Sequence, residues 1–283
     1  MDYSHACFGS RLHISVSSEE DISLEIEKCF SMVDQFEQKY SRFIQGNFLS
    51  KLNREKSAHI DSEFESLLKL SLKVSQLSQW YFDITLLPIL ENLGYGINSD
   101  VLDETYGYEN IILWDHHVEL QNDVSIDIGA VWKWYMVDKI FNILTLHAQA
   151  FTINFWGDIR VKGRETIYLE DPIDQKKSIG NIVLENISIA SSAGNKRTFG
   201  KNHHLINAKT KQSQNDKLTL YVTHKLSSFS DIFSTALFVS PLELSLKILE
   251  QTPGLEALII ASDGAIYKSR WFTAHLNTKK AWQ

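Results

Sequence analysis

The stretch that decides the predicted fold is residues 125–144, with the sequence SIDIGAVWKWYMVDKIFNIL. At its start two isoleucines flank the polar Asp127, which is the period of a half-buried strand. Gly129 then predicts a turn, and from residue 137 to 144 apolar side chains recur at three and four positions, as in an amphipathic helix. The segment therefore predicts a strand, a turn and a helix in direct succession.

Such a junction is suited to an anionic ligand. It brings backbone N–H groups and the positive end of a helix dipole to one point, which favours a group such as phosphate. Lys133 adds a cation and Asp138 an anion within the first turns of the helix. The same arrangement is common in α/β chains, and Lys133 could equally be a solvated surface lysine. Phosphate binding is thus a hypothesis that needs support from elsewhere in the chain.

Composition indicates an ordinary globular protein. The chain has 283 residues, of which 43% are hydrophobic and 22% charged, so it can bury a large core. A net charge of -7 without a visible basic patch argues against a nucleic-acid partner. Cys7 and Cys29 lie far apart, which indicates neither a disulfide framework nor a thiolate metal site.

The sequence shows no targeting signal. No apolar run reaches the ~18 residues needed to cross a bilayer, and the first residues lack the basic and apolar regions of an export signal. We expect no transmembrane segment and a cytoplasmic location. A periplasmic or lipoprotein location is expected only if a leader peptide has been removed.

Patterns along the rest of the chain predict one interwoven α+β unit over residues 1–283, with mixed or antiparallel sheets and packed helices. The first predicted helix follows Ser18, with an acidic first turn. In addition to the helix of the central segment, helices are predicted over residues 18–40, 62–79, 230–239 and from 240 towards 252. The strands are predicted over residues 12–16, 111–114, 151–155, 186–192 and 217–223, with hairpins at 157–171 and 255–272.

Asp231 and Thr235 are candidate metal ligands. They stand four residues apart on a predicted helix, so they share one face. A carboxylate and a hydroxyl are hard oxygen ligands, and so sparse a set suits Mg²⁺, which takes further ligands from water and substrate phosphates. Asp231 could instead be a cap at the helix N-terminus.

Two histidines, His203 and His204, lie in the polar stretch after Gly194. A histidine there could be a general base near neutral pH, or both could be exposed loop residues.

The segment FDIT and the tryptophans are open to two interpretations each. Asp83 and Thr85 could hold a ribose or an adenine edge, or could fix a turn. Trp132, Trp134 and Trp156 could stack on a flat ring system or fill the core. The sequence contains no Ser-His-Asp order, HExxH, P-loop or GxGxxG, so the familiar nucleotide motifs do not apply.

In their order along the chain, these signals resemble the landmarks of the ApbE-type FAD:protein FMN transferases. That family has an MGT-like strand, a YxxxSxxSxxN-like loop and FDPT, DLGGIAKGYAVD, NxGGD, TSG, HIIDPxTG and DxxxTAL segments. The counterparts here are residues 8–10, 40–53, 82–85, 127–138, 154–158, 191–193, 204–210 and 231–237. Eight landmarks in sequence, over nearly the whole chain, are more specific than any single motif.

The resemblance implies an ApbE-like fold and an enzyme that uses Mg²⁺ and FAD as substrate. It would move FMN from FAD to a threonine or serine hydroxyl of a flavin-acceptor protein and release AMP. Asp231 and Thr235 would hold the metal, with a backbone carbonyl near Trp132. His204 would be the catalytic base and Lys133 would offset phosphate charge. The implied FAD-binding residues are Ser10, Tyr40, Asp83, Thr85, Lys133, Asp158, Ser191 and Ser192.

Several family positions differ in this chain, which predicts a divergent member with a reshaped pocket. Family glycines are replaced at Ala130, Trp134, Trp156, Ala193 and Lys211, and the aspartate and proline of HIIDP by Asn207 and Ala208. Glycine is used where a backbone approaches a ligand closely, so a tryptophan in its place would occupy part of the pocket or stack on the flavin. The alternatives are a non-catalytic flavin- or nucleotide-binding homologue and a Mg²⁺-dependent FAD pyrophosphatase.

Overall fold

The computed structural model describes residues 1–95, 105–129 and 131–277, and within them the chain forms seven α-helices and eighteen strands. The helices are α1 (Ser23–Tyr40), α2 (Phe48–Glu55), α3 (Ser62–Leu77), α4 (Leu87–Asn92), α5 (Trp132–Thr145), α6 (Ser227–Val239) and α7 (Leu242–Gln251). The strands are β1 (Asp2–Cys7), β2 (Ser10–Ser17), β3 (Ser57–His59), β4 (Ile111–Trp114), β5 (His117–Leu120), β6 (Ala150–Phe155), β7 (Asp158–Lys162), β8 (Arg164–Glu170), β9 (Ser178–Glu185), β10 (Ser188–Ala193), β11 (Thr198–Phe199), β12 (Asn202–His203), β13 (Ile206–Asn207), β14 (Gln212–Ser213), β15 (Lys217–His224), β16 (Glu256–Ala261), β17 (Ile266–Lys268) and β18 (His275–Leu276). None of these helices is long and apolar enough to cross a membrane.

An eight-stranded antiparallel sheet forms the centre of the fold, in the order β1-β2-β6-β7-β10-β15-β16-β17. Two three-stranded sheets, β18-β9-β8 and β3-β5-β4, and two short ribbons, β11-β12 and β13-β14, complete the described strands. The predicted α+β class with antiparallel sheets and packed helices is therefore confirmed.

Both faces of the large sheet are covered. On β15, Leu220 and Val222 belong to the core cluster shared with the helices, whereas Tyr221 belongs to the cluster shared with β8 and β9. Successive side chains of a strand point to opposite faces of the sheet. Helices therefore cover one face of the large sheet, and the β18-β9-β8 sheet covers the other. This double burial explains the almost unbroken buried pattern of β15.

The predicted strand at the start of residues 125–144 is wrong, although the helix that follows it is confirmed as α5. A side chain takes the place of a partner strand here. The Ile126 N–H donates to Asn53 Oδ1 at 2.8 Å, and Asn53 Nδ2 donates to the Ile126 carbonyl at 2.9 Å. The Asp127 N–H donates to the Ile84 carbonyl at 2.8 Å. These bonds satisfy the backbone without a sheet.

Other boundaries also differ from the expectation. The predicted hairpin over residues 157–171 is wrong, since β7 pairs with β6 and β10 whereas β8 pairs with β9 in another sheet. The break falls at Gly163, whose φ of 90° lies in the left-handed region that glycine adopts freely. The first helix begins at Ser23 and not at Ser18. The closing hairpin is confirmed as β16 and β17.

Helix α6, which carries the predicted metal ligands, receives its N-terminal cap from another element. Its own cap residue, Leu226, has no side-chain acceptor. Asp138 of α5 instead accepts the N–H groups of Ser227 and Ser228 at 2.8 and 2.9 Å. Arg160 lies 3.5 Å from the same carboxylate. An anion at a helix N-terminus is stabilising, so Asp138 ties α6 to α5.

The C-terminal end of α6 is held by a buried cation. Lys217 of β15 is 3% exposed, and its Nζ donates to the carbonyls of Phe238 and Ser240 at 3.2 and 2.5 Å. The adjacent Asp216 carboxylate lies 3.0 Å away and completes the lysine's contacts. A cation at this end complements the helix dipole. Both ends of α6 are thus fixed by charges from neighbouring elements.

We expect Asp138→Ala to destabilise the fold by about 2–3 kcal/mol, because it removes the cap and leaves Arg160 without its counter-charge. The melting temperature, measured by calorimetry, should fall by roughly 5–10 °C. The control is Asp34→Ala, which removes an exposed carboxylate on α1 that contacts His5. Equal melting temperatures for both variants would contradict the capping role.

Candidate active site

A cleft of about 910 Å³ opens beside the large sheet, within the size range of small-molecule sites. Its walls come from the β1-β2 and β6-β7 turns, the N-terminus of α5, the segment after β10 and one face of α6. Ten residues predicted from the sequence line it: Ser10, Tyr40, Trp132, Lys133, Asp158, Ser191, Ser192, His204, Asp231 and Thr235. Distant parts of the chain therefore converge on one cavity.

Three ionisable side chains share the floor of the cleft. Lys133 comes from the first turn of α5, Asp158 is the first residue of β7, and Asp231 lies on α6. All three are less than 9% exposed, so Lys133 is not the solvated surface residue considered above. Ionised groups are costly to bury alone, and here cation and carboxylates partly offset one another.

Burial dominates the protonation of this cluster. It lowers the pKa of Lys133, an effect that Arg197 reinforces, while the two carboxylates oppose it. Burial raises the pKa of Asp158 to about 7, against the opposing effects of Lys133 and the Ser191 N–H, which donates to Asp158 Oδ1 at 3.1 Å. The pKa of Asp231 is raised well above its usual value for the same reason. An added cation would reverse this trend and favour the carboxylates.

Asp231 has the features of a metal ligand and not of a helix cap. It lies one turn inside α6, and its Oδ2 atom is buried with no hydrogen-bond partner in the described structure. Thr235 follows one turn later and lines the same cleft. A buried carboxylate oxygen without a donor is unfavourable unless a cation neutralises it. These donors fit a hard cation such as Mg²⁺.

Protein ligands for such a cation are few. Among residues 1–95, 105–129 and 131–277, no group of three or more His, Cys, Asp or Glu side chains could hold a metal. Mg²⁺ tolerates this, since it keeps several waters and binds substrate phosphates. Trp132, predicted to add a backbone carbonyl, begins α5 and lines the cleft. Its role as a ligand stays a prediction.

His204 is the histidine of the cleft. Its Nδ1 atom is buried without a hydrogen-bond partner among the described residues. Burial, reinforced by Arg197 and Lys133, lowers the pKa of His204 well below its usual value, so the imidazole is neutral. His203 faces the core instead, with its Nε2 at 3.0 Å from the Gln214 carbonyl.

Asp83 and Thr85 fix a pair of loops. Asp83 Oδ1 accepts the N–H and the hydroxyl of Thr85 at 2.8 and 2.7 Å, and its Oδ2 accepts the Tyr108 N–H at 2.9 Å. The Thr85 hydroxyl accepts the Gly107 N–H at 2.7 Å. Neither residue lines the large cleft; Asp83 faces a smaller cavity of about 70 Å³ that it shares with His204. Their contact with a nucleotide stays a prediction.

The three tryptophans of interest have different surroundings. Trp134 is fully buried in the core, and Trp132 is buried beneath Phe8, with ring centroids 3.2 Å apart. Trp156 is 54% exposed at the rim of the cleft. Ala130 lies outside the described residues. The substituted tryptophans therefore leave the cleft open.

Sequence reasoning missed two arginines of the cleft, Arg42 and Arg197. The Arg42 side chain is 6% exposed; its Nε lies 3.3 Å from an Asp127 oxygen, and another guanidinium nitrogen donates to the Tyr95 carbonyl at 3.1 Å. Arg197 lies in the polar stretch after Gly194, and Arg42 lies in the landmark counterpart of residues 40–53. The signal for Arg42 was its place two residues after Tyr40, within a landmark segment.

Comparison with known proteins supplies the family. A sequence model described as the ApbE family matches residues 8–259. The chain belongs to the ApbE family. The FAD:protein FMN transferase of Treponema pallidum (strain Nichols) is 26% identical over 178 residues, which is 54% of this chain and 49% of that protein. The match thus spans about half the length of the Treponema relative. The FAD:protein FMN transferase of Buchnera aphidicola subsp. Schizaphis graminum (strain Sg) is 26% identical over 77% of this chain and 70% of that protein.

Solved structures of ApbE proteins share the fold. The ApbE protein of Thermotoga maritima superimposes with a TM-score of 0.86 at 24% identity, over 95% of this chain and 97% of that one. The flavin transferase ApbE of Vibrio cholerae gives a TM-score of 0.83 at 18% identity, over 96% of this chain and 97% of that one. The ApbE-like fold expected from the landmark segments is confirmed.

The raised pKa of Asp158 predicts a pH-dependent stability. The folded protein holds this proton more tightly than the unfolded chain, so the associated stability is complete below about pH 4 and is lost as the pH rises through 7. Asp158→Asn removes the titration and keeps an oxygen acceptor for the Ser191 N–H. As the pH rises from 5 to 8, the melting temperature of the variant minus that of wild type should increase by roughly 2–6 °C. A difference that does not change with pH would contradict the prediction.

Proposed function

We propose that this chain is an FAD:protein FMN transferase, which moves FMN from FAD to a threonine or serine hydroxyl of an acceptor protein and releases AMP. The observation that carries the proposal is the meeting, in one open cleft, of the unpartnered Asp231 carboxylate, the buried Lys133 and the neutral His204. The names of the Treponema and Buchnera relatives support the same activity.

Under this proposal the pyrophosphate of FAD binds at the floor of the cleft. Lys133 lies in the first turn of α5, whose N-terminus has no side-chain cap, so the positive end of the helix dipole acts with the lysine on an anion. Asp231 and Thr235 would hold Mg²⁺, which supplies charge neutralisation at the phosphates when bound. Ser10, with a buried hydroxyl that has no partner in the described structure, and Ser191 could donate to phosphate or ribose oxygens.

The reaction needs a base for the acceptor hydroxyl, and His204 suits this role. Its imidazole accepts the proton of the threonine or serine hydroxyl, whose oxygen then forms a bond to the phosphorus of the FMN half. The bond between that phosphorus and the bridging pyrophosphate oxygen breaks, and AMP leaves with the electron pair. Lys133 stabilises the charge that develops on the phosphate oxygens.

Asp231→Asn tests the metal role. With FAD, Mg²⁺ and a flavin-acceptor domain, the variant should form the fluorescent acceptor band roughly 100-fold more slowly or worse, because the ligand charge is lost. Chelation by EDTA should stop the wild-type reaction. Asp263→Asn, the same change in the exposed turn between β16 and β17, is the matched control. Full transfer by Asp231→Asn, or by wild type in EDTA, would refute the metal site.

His204→Asn tests the base. Transfer should slow by about 10²–10⁴-fold, while FAD binding, measured by titration, changes little, because the proton acceptor is lost but the phosphate contacts remain. A variant that transfers FMN at the wild-type rate would exclude His204 as the base.

AMP measurements separate the proposed transfer from its alternatives. AMP release that depends on the acceptor supports the transferase, and release at the same rate without acceptor indicates an FAD pyrophosphatase. Binding of FAD without any AMP release indicates a non-catalytic homologue.

A further inference from the structure

Two hairpin turns at one end of the large sheet carry aromatic residues in an unfavourable backbone conformation. Phe8 and Gly9 join β1 to β2, and Trp156 and Gly157 join β6 to β7. The register between β2 and β6 pairs Leu12 with Phe155. The start of β2 therefore lies beside the end of β6, and both turns are at the same end of the sheet. Both turns line the cleft.

Each of these turns has two successive residues with positive φ. The angles are 51° and 66° at Phe8 and Gly9, and 59° and 91° at Trp156 and Gly157. Two-residue turns of this kind favour Asn-Gly, because asparagine and glycine tolerate the left-handed region. A bulky aromatic residue there is strained, and such strain persists where the surroundings or the function require it.

Packing accounts for Phe8 but not for Trp156. The Phe8 ring stacks on Trp132 with centroids 3.2 Å apart and an interplanar angle of 20°. The Trp156 ring is 54% exposed, so burial in the core does not compensate its strain. Its contacts are cations of the cleft: the Arg197 guanidinium lies 4.1 Å and the Lys133 ammonium 5.6 Å from the ring centroid.

We propose that the Trp156 indole is a stacking platform for one planar ring of the dinucleotide, held in place by Arg197, and that it helps select a substrate with such a ring. This inference rests on the proposed function. The exposed indole is close to Lys133, hence to the expected phosphates, and tryptophan stacks readily on flat heteroaromatic rings. The ring could be the flavin or the adenine, and the two mononucleotides distinguish them.

The test compares FAD, FMN and AMP binding, by titration calorimetry in Mg²⁺, for wild type and three variants. Trp156→Asn removes the ring and installs a residue that the turn favours, Trp156→Phe keeps a ring, and Trp271→Ala removes an exposed indole that does not line the cleft. Trp156→Asn should weaken FAD and one mononucleotide about tenfold, in line with the loss of one stacked base. Trp156→Phe should largely restore binding, and Trp271→Ala should match wild type.

Thermal unfolding of the ligand-free proteins shows whether weaker binding results from a folding defect. Because Trp156→Asn relieves strain, its melting temperature should equal or exceed that of wild type. If wild type binds FAD and Trp156→Asn binds it equally or more tightly, the stacking proposal alone is wrong. Equal weakening of FMN and AMP would also overturn it, since one indole stacks on one ring. If wild type binds none of the three, the proposed function is wrong as well.

Discussion

The site depends on the placement of helix α6 by two charges from other elements. Asp138 of α5 accepts the first N–H groups of α6, and Lys217 of β15 donates to its last carbonyls. Each charge has the sign that the helix dipole favours at that end. The helix is therefore held along its axis against both the sheet and α5. Asp231 projects from this fixed helix towards Lys133, which belongs to the same α5 that supplies Asp138.

A rigid frame is needed because the floor of the cleft is electrostatically costly. Asp158, Asp231 and Lys133 are all buried. Burial raises the pKa of each carboxyl and lowers the pKa of the lysine, so it favours the neutral form of all three. Two carboxylates face one buried lysine, with Arg197 as a second cation nearby. Water cannot screen such a group, so its charges interact strongly with any ion that enters. Under the proposed function, joint binding of a cation and an anionic substrate would stabilise this cluster.

Much of this could be predicted from the sequence because the signals are local. The buried faces of α1 and α3 follow from their helical periodicity, and β2 and β6 follow from their alternation. Seven of the eight landmark segments contribute residues to the cleft, since their order reflects a shared fold, whereas residues 82–85 do not line it. Pairings over long distances were not predictable. Periodicity could not show that Asn53 replaces a strand beside Ile126, nor that β8 leaves the sheet of β7.

The two tryptophans at family glycine positions show why a substitution alone does not report on a pocket. Trp134 lies on α5, whose first turns are buried on nearly every side, so its indole enters the core and leaves the cleft unchanged. Trp156 lies in a two-residue turn at the end of the sheet, where the side chain has no core to enter. The same chemical change thus fills the interior in one case and adds an aromatic surface to the cleft in the other. The two outcomes differ because Trp134 is on a buried helix and Trp156 is in a turn at the end of the sheet. The position of that turn is known only once the strands are paired.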